Sequence, residues 1–260
     1  FAACAVAAFV ITRVTLRIQP TSSHRFLRGV AFKDVGAGLV AMRALLAAGE
    51  APSVLRLYDP LDSALAASHP ASENEPLRVA AGGIARADLE DSGPGEEQHE
   101  EPALLDSLVR RFEELAVFSR PRATRMLVGE ILGRPSIANS ILDRAASGKN
   151  GTPKLIVGLE GDAVDLEKRA PRVMALLKAA GATDLGDGPG TRWLSHRHRV
   201  SYRMSRAFAV GGWVDTCEVA CGWEQVAPLY KAVREALRDV AIVLCHFSHA
   251  YVDGCSLYFS

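Results

Sequence analysis

Two short runs at the end of the chain, Ile242 to Tyr251 and Cys255 to Phe259, are separated only by Val252-Asp253-Gly254. A link that short joins adjacent antiparallel strands, and the Asp-Gly pair supplies the tight turn, so the chain closes on a β-hairpin. Side chains alternate across a strand, which fixes what each face of the hairpin carries. On the second strand Cys255, Leu257 and Phe259 share one face, while Ser256 and Tyr258 share the other. Leu257 and Phe259 read as core, and that turns Tyr258 away from it. On the first strand, strict alternation places His246 with Ser248 and His249 with Tyr251, the two histidines on opposite faces. A single hairpin with one apolar face is marginal in water, so further strands or a helix layer must cover it.

The rest of the chain supplies them. Val14, Leu16 and Ile18 alternate with Thr15 and Arg17, predicting a strand over 10–18 that Pro20 closes. Phe26 to Phe32 reads as another. Asp34 is placed to cap a helix carrying Leu39, Met42, Leu45 and Leu46, which Gly49 ends. Ser53 to Tyr58 (SVLRLY) is again a strand. Leu104 to Phe118 and Ile141 to Ala146 read as helices, and Lys154 to Leu159 as a strand running into a turn-like Gly158 to Asp162. A helix over 164–180 contains Pro171, which implies a kink or a late start. Gly211 to Ala220 is a strand, and Gln225 to Leu237 a helix that buries Val226, Leu229, Val233 and Leu237. Between His69 and Glu101 large apolar residues are scarce, and the segment reads as a surface loop. This recurring order predicts an α+β fold, with one antiparallel sheet and helices packed on one face.

Charge narrows the function classes. Lys+Arg and Asp+Glu balance at 30 each, which argues against a strongly basic nucleic-acid binder. Phe1 to Ile11 is apolar but lacks a basic leader and is too short to cross a membrane, so neither a signal peptide nor a transmembrane span is expected. The five cysteines are irregularly spaced, which fits a reducing compartment better than a disulfide framework. The chain opens in an apolar run and closes on an aromatic strand, as a fragment of a longer protein would.

Several polar groups are candidates for chemistry. Cys217 and Cys221 could join His246 and His249 at a metal, but four strand residues span about 13 Å, too far for both thiolates to reach one ion. Arg56 stands alone in an apolar strand and needs a partner. Arg197, Arg199, Arg203 and Arg206, with His196 and His198, form a basic run that is either an anion site or a solvated helix face. Tyr258 with His249 or His246 beside it is capable of proton transfer, and equally reads as polar sheet surface. No G-x-G-x-x-G, P-loop or H-E-x-x-H motif is present.

Taken together, ITRVTLRIQP, SVLRLYD, LIVGLEGD, GGWVDTCEVACGW and CHFSHAYVDGCSLYF resemble the cap, or substrate, domain of FAD-linked oxidoreductases of the vanillyl-alcohol-oxidase superfamily. The branch they are most similar to is the alkyldihydroxyacetonephosphate synthase (alkylglycerone-phosphate synthase) family and its bacterial relatives. The resemblance implies a ferredoxin-like cap domain over residues 21–260, with a flexible loop near 69–103 and a truncated C-terminal end. Residues 1–20 would be the C-terminal remnant of the FAD-binding domain, its strand included. The main cofactor-binding portion and a histidine-rich motif would lie outside the sequence.

The same resemblance implies FAD as cofactor and the exchange of the acyl group of acyl-dihydroxyacetone phosphate for a long-chain alcohol, through a flavin adduct. The fragment alone is expected to be inactive. Tyr258 matches the family's acid/base tyrosine, and Arg56 an arginine that places flavin and substrate. His246 is expected beside the cofactor and His249 beside the substrate. The family arginine that precedes the GGWVDT-like strand falls, counting back from Trp223, on Met204, with Arg203 next to it as the candidate substrate ligand. That departure leaves two other readings open, a 2-hydroxy-acid oxidase or dehydrogenase and a noncatalytic cap fragment. The resemblance further implies a small or lipid-like substrate and no nucleic acid, and it allows a homodimer and peripheral membrane contact of the parent. Location would be cytoplasmic in a bacterium and peroxisomal only in a eukaryote.

Overall fold

A computed structural model of the chain describes residues 12–18, 20–67, 84–86, 130, 133–146, 151–197 and 213–260. Its first half contains His24–Ala31 (β1), Val35–Ala47 (α1), Val54–Tyr58 (β2), Pro60–Ala67 (α2), Ile84–Arg86 (β3) and Pro135–Ala146 (α3). Lys154–Gly161 (β4), Ala163–Ala179 (α4), Thr183–Asp184 (β5), Gly188–His196 (α5), Cys217–Gly222 (β6), Trp223–Leu237 (α6), Cys245–Ala250 (β7) and Gly254–Phe259 (β8) follow.

The strands form one sheet in the order β3-β1-β4-β2-β7-β8-β6, with β5 also pairing β1. Every pairing is antiparallel. Alternation then decides the core. Leu55 and Leu57 of β2, Leu155, Val157 and Leu159 of β4, Phe247 of β7, and Leu257 and Phe259 of β8 all face one side. There they meet Leu39, Met42 and Leu45 of α1, Leu166, Val173 and Leu177 of α4, and Val226 and Tyr230 of α6. Each fully buried aliphatic side chain contributes roughly 1.5–3 kcal/mol, so this interlayer is the main stabilising contact. The α+β sheet with α1, α4 and α6 packed on one face is the fold the residue pattern predicts.

Local signals hold the helices in register. The Asp34 Oδ1 accepts from Ala37 N at 2.7 Å, and Gly49 follows α1 at φ 78°, a conformation glycine adopts without strain. Glu50, next in sequence, is buried and accepts from Arg169 Nε at 3.2 Å and from Arg172. This ties the α1–β2 link to α4.

Several boundaries differ from the sequence expectation. Residues 12–18 form no strand, and Val14, Leu16 and Ile18 are exposed. Alternation alone makes no ladder without a neighbouring strand to hydrogen-bond. Gly158 to Asp162 is not a turn: β4 continues to Gly161, and Asp162 Oδ1 caps α4 by accepting from Asp165 N at 2.8 Å. Pro171 lies inside α4, which runs on through it. Ile84–Arg86, within the expected loop, pairs with His24–Phe26. The strand expected from Gly211 begins at Cys217 and ends at Gly222. The helix expected over 104–118 lies outside the described residues.

Glycines let α5 sit close against β1. A Cβ on Gly29 would collide with the Pro189 ring, and one on Gly190 with Leu27 and the Arg28 backbone. Leu27 and Gly29 alternate with the core positions Phe26 and Val30, so this short helix lies on the side of the sheet opposite the core. Over β2, β7 and β8 that side presents polar and aromatic side chains. Among the described residues no helix is long and apolar enough to cross a membrane.

Candidate functional site

Backbone register assembles a row on the side opposite the core. Tyr58 pairs with His246, His246 with Tyr258, and Tyr258 with Glu218, so the four residues sit abreast on β2, β7, β8 and β6. Arg56 lies two residues before Tyr58 on the same strand and therefore on the same face. Directly paired positions bring side chains within reach of one another, and the His246 ring meets both Tyr58 and Tyr258.

The His246 ring stacks on Tyr258 with centroids 4.8 Å apart and planes 17° from parallel. On its other side Tyr58 is tilted by 53° at 5.9 Å. Arg56 Nη2 is 2.8 Å from His246 Nε2, and the Arg56 Cζ lies 5.2 Å from the Tyr58 ring centroid. Asp62, in the first turn of α2, places its Oδ2 3.4 Å from His246 Nδ1. Burial pushes the Tyr58 phenol far above its ordinary value, against the opposing pull of the Arg56 charge. Tyr58 is therefore protonated at neutral pH.

Further along the row, Ser256 Oγ donates to Glu218 Oε1 at 2.8 Å, and His249 Nε2 approaches the same oxygen at 3.8 Å. Strict alternation would have kept His249 off the face of His246. A β-bulge overturns that expectation. Phe247 pairs with Leu257 but Ala250 with Cys255, so Ser248 and His249 together oppose Ser256. The extra residue resets the alternation and swings His249 towards Glu218.

Directly behind this row lies a buried carboxylate. Asp59 Oδ2 accepts from Tyr230 Oη at 3.0 Å, Cys245 N at 3.1 Å and Arg234 Nη1 at 3.3 Å. Its Oδ1 accepts from Asp62 N at 2.8 Å. Burial is the largest influence on Asp59 and Asp62 adds to it, and the carboxyl is pushed up to about 7 even though the Asp62 amide, Arg234 and Tyr230 pull it down. Asp59 thus joins β2, α2, β7 and α6 at the end where the polar row begins.

Of the residues singled out from sequence, Arg56, His246 and Tyr258 come together. His249 stands at the rim beside Glu218, 62% exposed. Arg203 and Met204 lie outside the described residues. Tyr58, Asp59, Asp62 and Glu218 were not singled out. Parity within SVLRLY could have placed Tyr58 beside Arg56, whereas Asp62 and Glu218 reach the row only through α2 and the β6–β8 pairing. Cys217 and Cys221 sit opposite Phe259 and Cys255. Among the described residues no group of three or more His, Cys, Asp or Glu is placed to hold a metal ion.

The Arg56 Nε–H is buried without a hydrogen-bond partner. A buried donor left unpaired is costly, and it fits an acceptor brought by a bound molecule, whether the edge of a flavin ring or an anionic substrate. Among the described residues, Arg56, flanked by Tyr58, His246 and Tyr258, presents a buried donor of this kind.

Comparison with known proteins agrees with this architecture. The family described as FAD linked oxidases, C-terminal domain, matches residues 21–260. An alkyldihydroxyacetonephosphate synthase of Trypanosoma brucei brucei is 28% identical over 113 residues, covering 41% of this chain and 18% of that protein. Two solved structures of alkyldihydroxyacetonephosphate synthase share the fold. One has a TM-score of 0.59 at 18% identity over 93% of this chain, and the other 0.57 at 16% identity over 92%. In both, the likeness spans 36% of the larger protein. The family match runs through every strand and helix that builds the sheet, its core layer and the polar row, and the chain belongs to the FAD-linked oxidase C-terminal domain family.

Proposed function

We propose that this chain is the substrate-facing part of an FAD-dependent enzyme similar to alkyldihydroxyacetonephosphate synthase, exchanging the acyl group of acyl-dihydroxyacetone phosphate for a long-chain alcohol. The observation that carries the reading is the Arg56–His246–Tyr258 cluster, with a buried guanidinium N–H left free for a ligand acceptor. Bound FAD would supply the electron sink at which the substrate carbon is activated. The chain's own residues do the rest. Arg56 holds an anionic oxygen through charge-assisted hydrogen bonds, which are about twice as strong as neutral ones. Tyr258 carries the phenol that moves a proton at the carbon undergoing exchange. Its stack on His246 keeps that ring at a fixed inclination to Arg56.

One sequence feature favours a second reading. By the resemblance, counting back from Trp223, the slot of a family arginine falls on Met204, beside Arg203. With one fewer cation the site would suit a smaller carboxylate, as in a 2-hydroxy-acid oxidase or dehydrogenase. The deciding experiment uses the parent protein loaded with FAD. Alkyl transfer from a long-chain alcohol onto acyl-dihydroxyacetone phosphate, with the oxidised flavin spectrum restored when turnover ends, supports the synthase reading. Bleaching by a hydroxy acid without alkyl transfer replaces it with the oxidase reading.

A further inference from the structure

We infer that Asp62 is a positioning residue, which fixes His246 as the Nδ1–H tautomer and through that ring sets the placement of Arg56 and Tyr258. A guanidinium carries only donors. The 2.8 Å contact between Arg56 Nη2 and His246 Nε2 therefore requires a lone pair on Nε2. Either an Nε2–H tautomer or a doubly protonated ring would set two N–H groups head to head. The ring proton belongs on Nδ1, and Nδ1 faces Asp62 Oδ2 at 3.4 Å. That separation is long for a strong hydrogen bond, so the carboxylate acts chiefly by its charge, favouring N–H over a lone pair on the nitrogen it faces.

The two ends of this relay are tied to one buried anchor. Asp62 donates its backbone N–H to Asp59 Oδ1 at 2.8 Å, which places the side chain at the start of α2. Cys245, the residue before His246, donates its backbone N–H to Asp59 Oδ2 at 3.1 Å. One carboxylate thus sets the distance between Asp62 and His246. The ring is then held at both nitrogens, its plane is fixed, and Tyr258 lies on it at 17°. Arg56 gives one N–H to the ring, which orients the guanidinium and leaves Nε–H for a ligand. Among the described residues, the groups facing His246 are Arg56 and Tyr58 from β2, Asp62 from α2 and Tyr258 from β8.

The inference rests on this geometry and not on which reaction the site performs, so its test is separate from the synthase assay. The test is long-range proton–nitrogen NMR of the 260-residue chain labelled with ¹⁵N-histidine, with His246→Gln to assign the signal. At neutral pH the His246 Nδ1 should resonate as a protonated nitrogen and Nε2 as an unprotonated one. Asp62→Ala should weaken that preference and move the two shifts towards each other, with the part that Arg56 imposes on Nε2 left in place. Asp62→Asn keeps the shape of the side chain but not its charge, and should weaken the preference nearly as much. A wild-type ring that is mainly Nε2–H or doubly protonated overturns the inference, and so does an Asp62→Ala spectrum identical to wild type. Should Asp62→Ala not fold, the wild-type and Asp62→Asn spectra decide, since a folded Asp62→Asn chain with shifts identical to wild type also overturns it.

Discussion

Tyr258 and His246 face each other across β7 and β8, stacked at 4.8 Å, and His246 in turn holds Arg56 at 2.8 Å. The phenol and the guanidinium are therefore set by one imidazole. Removing only the Tyr258 hydroxyl should leave this arrangement intact. Tyr258→Phe keeps the stacked ring and should preserve the thermal unfolding midpoint, while the rate of the FAD-loaded parent falls by about 10²–10⁴-fold, the usual contribution of a general acid or base. An undiminished rate would remove Tyr258 from the chemistry.

Arg56→Lys tests the guanidinium. An ammonium on a flexible stem cannot both meet His246 Nε2 and present a second donor in a fixed plane. The expected result in the parent is a KM for the anionic substrate raised roughly tenfold, equivalent to about 1.4 kcal/mol, with a smaller change in kcat. Steady-state kinetics over a substrate series would show it, and an unchanged KM would count against substrate contact.

Asp59 gives the fold a pH dependence of defined sign. Its folded value of about 7 exceeds the ordinary 3.8, so between those values the folded chain keeps a proton that the unfolded chain has released. Its contribution to stability is full below about 4 and declines as pH rises to about 7. Asp59→Asn lacks this titration. Denaturant unfolding at a series of pH values should show the wild-type advantage over Asp59→Asn shrinking from pH 4 to pH 7, and growth of that advantage would reverse the assignment.

The two arginines on Glu50 should differ in weight. Arg169 has a side chain 21% exposed and also bonds Asp165 at 3.1 Å and the Ala51 carbonyl at 3.3 Å, whereas Arg172 is 65% exposed. Arg169→Ala leaves a buried carboxylate poorly compensated and should cost roughly 3 kcal/mol, the lower end for breaking a buried pair. Arg172→Ala should cost about 1 kcal/mol or less, in the range of exposed pairs. Equal midpoints in urea would refute the ordering.

Gly254 is required for space. The residue pattern assigns it to the turn, yet its φ is not positive, and a Cβ there would overlap the Cys221 backbone carbonyl on the neighbouring strand. Gly254→Ala should destabilise by roughly 1–3 kcal/mol, the usual cost of overpacking. Amide exchange should quicken along Cys217–Gly222 before it does along β4.

Much of the fold follows from alternation and caps. Leu55 and Leu57 against Arg56, and Leu257 and Phe259 against Tyr258, divide each strand into a core face and a polar face whichever strands become neighbours. Asp34 and Gly49 mark the ends of α1 through contacts within a few residues, and such local signals are legible without a fold. The run over 12–18 alternates equally well and forms no strand, because a ladder needs a neighbour that local pattern does not specify.

The site was legible only in part. Arg56, His246 and Tyr258 could be named one at a time, but their meeting depends on β2 lying beside β7, a pairing between segments about 190 residues apart. His249 changed faces through a bulge that no residue type announces. Asp62 gained its role from the start of α2 meeting β7. Outside the bulge, the sequence by itself determined which side chains turn away from the core, because parity is a property of the backbone. Only the tertiary structure decided which of them touch, because strand order and register are set by the packing of the whole sheet against its helices.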